Sequence, residues 1–172
     1  IRHENSFNFD VNVTFEWLKE MLSTDCDKIA HNATYDFGWL QAEGITWNGR
    51  IIDTMVAAPL VDENKFSYSL NALSREYLLE TKSEWQLNEA AAQWGVDAKA
   101  EMYKMPASFV GEYAEQDAVL CLRLWDRLQE EITKADLQTV LDLELDLLPI
   151  LIKMRKQGVR VDLEKVQEAE KD

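Results

Sequence analysis

In the segment GEYAEQDAVLCLRLW, residues 111–125, and its continuation, Leu120, Leu124 and Leu128 recur at the spacing of one helix face. Ser108 is placed to open this helix, which is expected to run to about Glu131. Asp117 lies one turn before Leu120 on the same face, and Tyr113 one turn earlier again. Upstream, VTFEWLKEML has the apolar spacing of a short helix. DKIAHN is too short for a helix and predicts a strand ending in a polar pair. TYDFGWLQAEG predicts a helix stopped by Gly44, and RIIDTMVAAPLV a second buried strand running into a helix.

After a loop over DENKFSY, Ser69 is a suitable N-cap for SLNALSREYL. LNEAAAQWG predicts another helix, with an irregular stretch to Pro106. ADLQTVLDLELDLLPILIKMRKQG predicts a long helix interrupted at Pro149 and stopped by Gly158. Asp162 is expected to cap a final helix. Strand–helix alternation early and helices later imply an α/β fold with a short, partly parallel sheet.

Composition narrows the class. At 172 residues, 47% of them hydrophobic, the chain suits one domain with a sizeable core, alone or with a piece of a second. No apolar run approaches the ~20 residues that span a bilayer, so no membrane partner is expected. The first twenty residues lack a signal-peptide pattern. Cys26 and Cys121 stand far apart, which fits a reducing compartment, and with only His3 and His31 present a zinc site is not expected.

Charge changes the picture more. Eighteen basic residues face 32 acidic ones, for a net charge of −14. Residues 151–172 hold six basic and five acidic residues, so residues 1–150 carry −15. That balance argues against tight duplex binding through basic patches, but not against a site where metal ions supply the positive charge.

Two segments carry candidate chemistry. In KIAHNATYDFGWL a buried strand delivers Asn32 at its C-terminal end, with Asp36 in the first turns of the next helix. Ligands gather at such strand ends in α/β sheets. The plain alternative is that Asn32 or Thr34 caps the helix and Asp36 complements its dipole. The second segment holds Tyr113 and Asp117, which at i and i+4 can address a single point. A helix-interior Asp on an apolar face is costly unless it is paired, hydrogen-bonded or bound to a cation. An architectural hydrogen bond accounts for it as well as a metal does.

Taken together, HNATYD followed by YAEQD resembles the second and third motifs of the DEDD 3′–5′ exonucleases, tyrosine subtype. With IIDTMVAAPLV, SLNALSREYL and ELDLLPILIKMRKQGVRVD, essentially the whole chain is similar to the proofreading exonuclease domain of a family A DNA polymerase running into its polymerase region. The resemblance implies an α/β, RNase H-like exonuclease fold lacking its first strands, with a helical C-terminal extension. Residues 1–135 would be the partial exonuclease domain and 136–172 the helical connection. It implies phosphodiester cleavage with two divalent ions, Mg²⁺ or Mn²⁺. Asp117 would ligate the ion that activates water, Tyr113 would orient that water, Asp36 would act on the second ion, and Asn32 would lie near the terminal nucleotide. The implied partners are a single-stranded DNA 3′ end and a polymerase module in the same parent chain. The implied setting is the cytoplasm of a bacterial or phage-infected cell.

One departure stands out. The family's first motif is Asp-x-Glu on a strand, where i and i+2 share a face. Here that spelling occurs at Asp142–Glu144, in a helical pattern that turns the two side chains about 200° apart. It occurs again at Asp162–Glu164, where Asp162 reads as a cap. Both follow the third motif instead of preceding the second. The simpler expectation is truncation upstream of Ile1, since IRHENSFNFD resembles the region after the family's first strands. Weak metal binding and little activity would follow for this chain alone.

Of the six tryptophans, most are expected in the core, with Trp39 and Trp125 on helical apolar spacing. Stacking on unpaired bases is the functional alternative. Nothing singles out Lys99, Lys104 or Arg123 as phosphate contacts. His31 reads as a hydrogen-bonded strand residue, and KMRKQGVR as a dipole complement or a DNA contact. Rival functions are a non-catalytic scaffold and an RNase D-like RNA 3′ exonuclease, the latter disfavoured by the polymerase-like LPILIKMRKQGVRVD.

Overall fold

The computed structural model describes residues 9–81 and 84–170. His3 and most of IRHENSFNFD lie outside the described residues. The order is α1 (Val11–Leu22), β1 (Lys28–Ala30), α2 (Ala33–Ala42), β2 (Ile51–Asp53), α3 (Thr54–Val61) and α4 (Leu70–Tyr77). Then come α5 (Trp85–Trp94), a 3₁₀ turn at Met102–Lys104, α6 (Ala107–Lys134), α7 (Gln138–Gln157) and α8 (Leu163–Ala169). The fold is mixed α/β and mostly helical. No helix among the described residues is long and apolar enough to cross a membrane.

β1 and β2 pair in parallel, with Ile29 opposite Ile52 and Ala30 opposite Asp53. Parallel neighbours need a crossover, and α2 supplies it. α6 packs across β1, α3 and α4, while α7 packs along α2, α3 and β2. One core results. Leu120, Leu124, Leu128 and Ile132 of α6 meet Ile51, Ile52, Ala57 and Leu73 there. Leu141, Leu145, Leu148 and Ile152 of α7 belong to the same cluster. A smaller cluster of Leu87, Ala90, Ala91 and Met105 joins α5 to the loop before α6.

Local chemistry explains the boundaries. Asp10 caps α1 by accepting the Asn12 N–H at 2.9 Å, and Ser69 caps α4 through Ala72 at 3.3 Å. Asp162 caps α8 through Lys165. Gly44 turns the chain after α2 with φ +73°. Gly49, at φ +77°, passes so close to Cys26 that a Cβ would lie 2.1 Å from its carbonyl oxygen. α6 starts one residue before Ser108, behind Pro106.

Two expectations are corrected. α7 runs through Pro149 without interruption, because packing of Leu145, Leu148 and Ile152 holds both sides of the proline in one helix. The tryptophans are not mainly core: Trp125 is buried, but Trp17, Trp39, Trp85 and Trp94 are exposed. In α2 the core position is Phe37, edge-on to Trp47 at 4.7 Å, and Trp39 lies about 200° around the helix from it.

Candidate functional site

Where β1 ends, the chain enters α2 through Asn32, a non-glycine residue in the left-handed region at φ 67° and ψ 51°. Asn32 occupies the cap position, but its side chain makes no capping bond. Asp53, at the end of the neighbouring strand, takes that role. Its Oδ1 accepts the N–H of Asn32 at 2.9 Å and its Oδ2 that of Ala33 at 2.7 Å. Oδ1 also accepts the Met55 N–H at 2.8 Å, which caps α3. Asp53 is 2% exposed, and charge-assisted bonds to both helix starts offset the burial of its carboxylate.

Beside it, Thr54 donates its hydroxyl proton to the Ala30 carbonyl at 3.1 Å. His31 Nδ1 lies within hydrogen-bond distance of the same hydroxyl oxygen, at 2.9 Å. The Cys121 thiol of α6 approaches that oxygen at 3.8 Å. Burial pushes the Cys121 thiol up, and the negative charges of Asp53, Asp36 and Asp117 add to the shift. Three carboxylates from α2, β2 and α6 therefore share one field.

This junction floors a cavity of about 840 Å³. Asn32, Asp36 and Asp117 all line it, together with His31, Met55 and Cys121. Asp36 is open to solvent on one side, yet crowding by protein atoms raises its pKa first, and repulsion from Asp53 second. Asp117 is half-buried, with Oδ1 enclosed by protein atoms. Lys28 reaches the cavity wall, but its ammonium is held by the carbonyls of Thr24, Cys26 and Asn48 at 2.6–3.0 Å.

Tyr113 is one turn before Asp117 on α6. It lines a second hollow of about 420 Å³, with Leu87, Phe109, Gln116 and Leu120, and packs against the Leu87–Ala90–Met105 cluster. Asn32, Asp36 and Asp117 therefore line one cavity, and Tyr113 lines the adjoining hollow.

Lys99, Lys104 and Arg123 are each paired with a carboxylate: Glu84 at 3.1 Å, Glu101, and Glu80 at 2.6 Å. The fields of Tyr113 and Asp117 reach Lys99, behind that of Glu84, in holding its ammonium above the ordinary range. Asp142 is engaged by Arg50 and Asp162 by the start of α8, so neither Asp-x-Glu spelling is spare for a metal. Asp53 and Thr54 escaped sequence reasoning. The available signal was an acid and a hydroxyl together at a strand-to-helix junction before an apolar run.

Carboxylates are the donors that hard divalent cations prefer, and two of them facing one cavity fit part of such a shell. Among the described residues no group of three or more His, Cys, Asp or Glu is placed to hold an ion. The donor type fits; the donor number falls short.

A family profile described as 3′–5′ exonuclease matches residues 4–133. A DNA-directed DNA polymerase of Pseudomonas phage M6 is 35% identical over 99% of this chain and 26% of its own length. DNA polymerase DpoZ of Salmonella phage PMBT28 is 33% identical over 87% of the chain and 25% of its length. DNA polymerase I of Rhizobium leguminosarum is 29% identical over 78% and 13%. The chain spans about a quarter of the length of these phage relatives.

Proposed function

This chain belongs to the 3′–5′ exonuclease domains of the family A DNA polymerases, and we propose that it is the proofreading part of such an enzyme, hydrolysing phosphodiester bonds at DNA 3′ ends. The observation that carries the reading is that Asp36 and Asp117, 81 positions apart in sequence, line one cavity at a strand end. On this reading the fold is an RNase H-like core. Residues 1–135 are the nuclease portion, and 136–172 lead toward a polymerase module of the same parent chain.

Asp36 and Asp117 would hold divalent metal, Mg²⁺ or Mn²⁺, which when bound supplies positive charge at the scissile phosphate. The protein's own groups set the rest. Asn32, at the cavity with its N–H held by Asp53, would meet the terminal nucleotide. The Tyr113 hydroxyl, one turn from Asp117 on α6, is assigned to orienting the attacking water. For that role its ring must face the Asp117 cavity when substrate is present. Only two of the family's four acids match within these residues, so the stretch by itself should bind metal weakly and cleave slowly.

A scaffold without catalysis is the second reading, favoured by the shortfall of metal donors among the described residues. An RNA exonuclease is less well supported, since the relatives named are DNA polymerases. Mn²⁺ binding followed by electron paramagnetic resonance tests the site. Asp36→Asn and Asp117→Asn should each weaken binding, and unchanged binding in both would overturn the assignment. Adding an N-terminal strand that bears Asp-x-Glu separates the readings. Asp117-dependent cleavage of a single-stranded oligonucleotide supports the nuclease, and its absence supports the scaffold.

A further inference from the structure

Between α2 and α7 lies a hollow of about 410 Å³, lined by Tyr35, Gly38, Trp39, Ala42, Ile152, Arg155 and Lys156. Its composition is unlike that of the acidic cavity. Tyr35 is 52% and Trp39 60% exposed, and the two rings meet edge to face with centroids 6.5 Å apart. Opposite them stand two exposed cations from the last turn of α7. Among the described residues neither Arg155 nor Lys156 is in a salt bridge, whereas Arg50, Arg123 and Arg127 each meet carboxylates.

We propose that this hollow holds single-stranded nucleic acid, with a base against Trp39 and Tyr35 and backbone phosphates against Arg155 and Lys156. In a chain of net charge −14, aromatic rings beside unneutralised cations form the combination that takes an unpaired base and its phosphate. A dipole complement explains cations at the end of α7, but not two large rings turned to solvent across from them. Gly38 adds a separate indication. It lies mid-helix without a positive φ, and a Cβ there would meet nothing within 4 Å. Neither backbone nor packing requires the glycine, which weakens a helix relative to alanine; what it does is leave the floor between the rings bare.

Placement gives the strand a direction, and this part rests on the exonuclease reading. Trp39 lies three residues beyond Asp36 and four beyond Tyr35, so it neighbours both along α2. A strand with its 3′ end in the Asp36–Asp117 cavity would cross α2 and lay its upstream nucleotides in the hollow. Packing of α2 along α7 sets the two walls of the hollow.

The test is binding of fluorescent oligo-dT to the whole chain in EDTA, where no cleavage occurs, by anisotropy across a salt series. Trp39→Ala should weaken binding about tenfold. Trp39→Phe, which keeps a ring, should restore part of it. Arg155→Ala with Lys156→Ala should lower the slope of log affinity against log salt by about 1.4, two phosphates' worth. An iodouracil-substituted oligonucleotide should photocrosslink to Tyr35 or Trp39. Circular dichroism should show all variants folded, as expected for exposed side chains. Wild-type affinity and slope in both variants, or no oligonucleotide binding by the parent chain, would overturn the proposal. Asp117-dependent Mn²⁺ binding would still judge the exonuclease reading separately.

Discussion

The carboxylate of Asp53 accepts the backbone N–H of Ala33 at 2.7 Å, joining the end of β2 to the start of α2 across 20 residues of sequence. The same side chain also takes the N–H groups of Asn32 and Met55. Replacing it with alanine would leave three backbone donors without their acceptor in a buried position. We expect Asp53→Ala to destabilise the fold by about 2–4 kcal/mol, read as a shift of the urea midpoint. Asp53→Asn should cost less, because its remaining oxygen still accepts. A midpoint unchanged in the alanine variant would show that Asp53 does not organise the junction.

Asp36 gives a pH prediction of definite sign. Its pKa in the fold lies above the ordinary 3.8, so the folded state binds the proton more readily than the unfolded chain. Stability therefore falls as pH rises through that interval, and the ionised group remains unfavourable at neutral pH. Asp36→Asn should melt slightly higher than wild type at pH 7, with the gap closing below pH 3.8. A carbon NMR titration should place the Asp36 midpoint above that value, and Asp53→Asn should lower it. A midpoint at or below 3.8 would contradict the crowding inferred at the cavity.

The Arg50–Asp142 pair predicts the opposite slope. Arg50 lowers the Asp142 pKa below 3.8, with help from Gln138, so the fold favours the charged carboxylate. That contribution is present above pH 3.8 and is lost as pH falls through the depressed value. Arg50→Gln should lower the melting temperature modestly at pH 7, and the difference should shrink in acid. A difference independent of pH would assign the loss to packing of the arginine stem instead.

Leu148 tests whether α7 is integral to the core. It is 2% exposed and clusters with residues of α6 and β2. Leu148→Ala should cost about 2–5 kcal/mol in a single unfolding transition sensed by all probes. An early, separate transition confined to α7 would mean that residues 138–157 fold as an appendage.

Much of this architecture was legible because periodicity survives without tertiary context. The leucines of α6 announced their face, Ser69 and Asp162 announced caps, and Gly44 and Gly158 announced stops. A strand end and a lone acid on an apolar face drew notice to Asn32, Asp36 and Asp117, but only the resemblance to the exonuclease motifs joined them; all three line one cavity. Long-range partnership was not legible. That Asp53 displaces Asn32 as the effective cap, or that Arg50 bridges to α7, depends on elements meeting across 20 to 96 positions. Pro149 and Trp39 misled for a related reason. Local rules place a break at one and burial at the other, and only neighbouring helices decide each.

The parallel pair of β1 and β2 has three residues per strand, too little to persist alone in water. Its backbone bonds endure because α6 lies over one strand and α7 over the other, both contributed by the second half of the chain. The ladder of residues 28–53 therefore depends on residues 107–157, which follow it in the chain. Deuterium uptake at Ala30 and Ile52, whose N–H groups point into the ladder, should accordingly be among the slowest in the molecule and should report loss of the entire fold. The smallest element thus serves as the gauge of the whole.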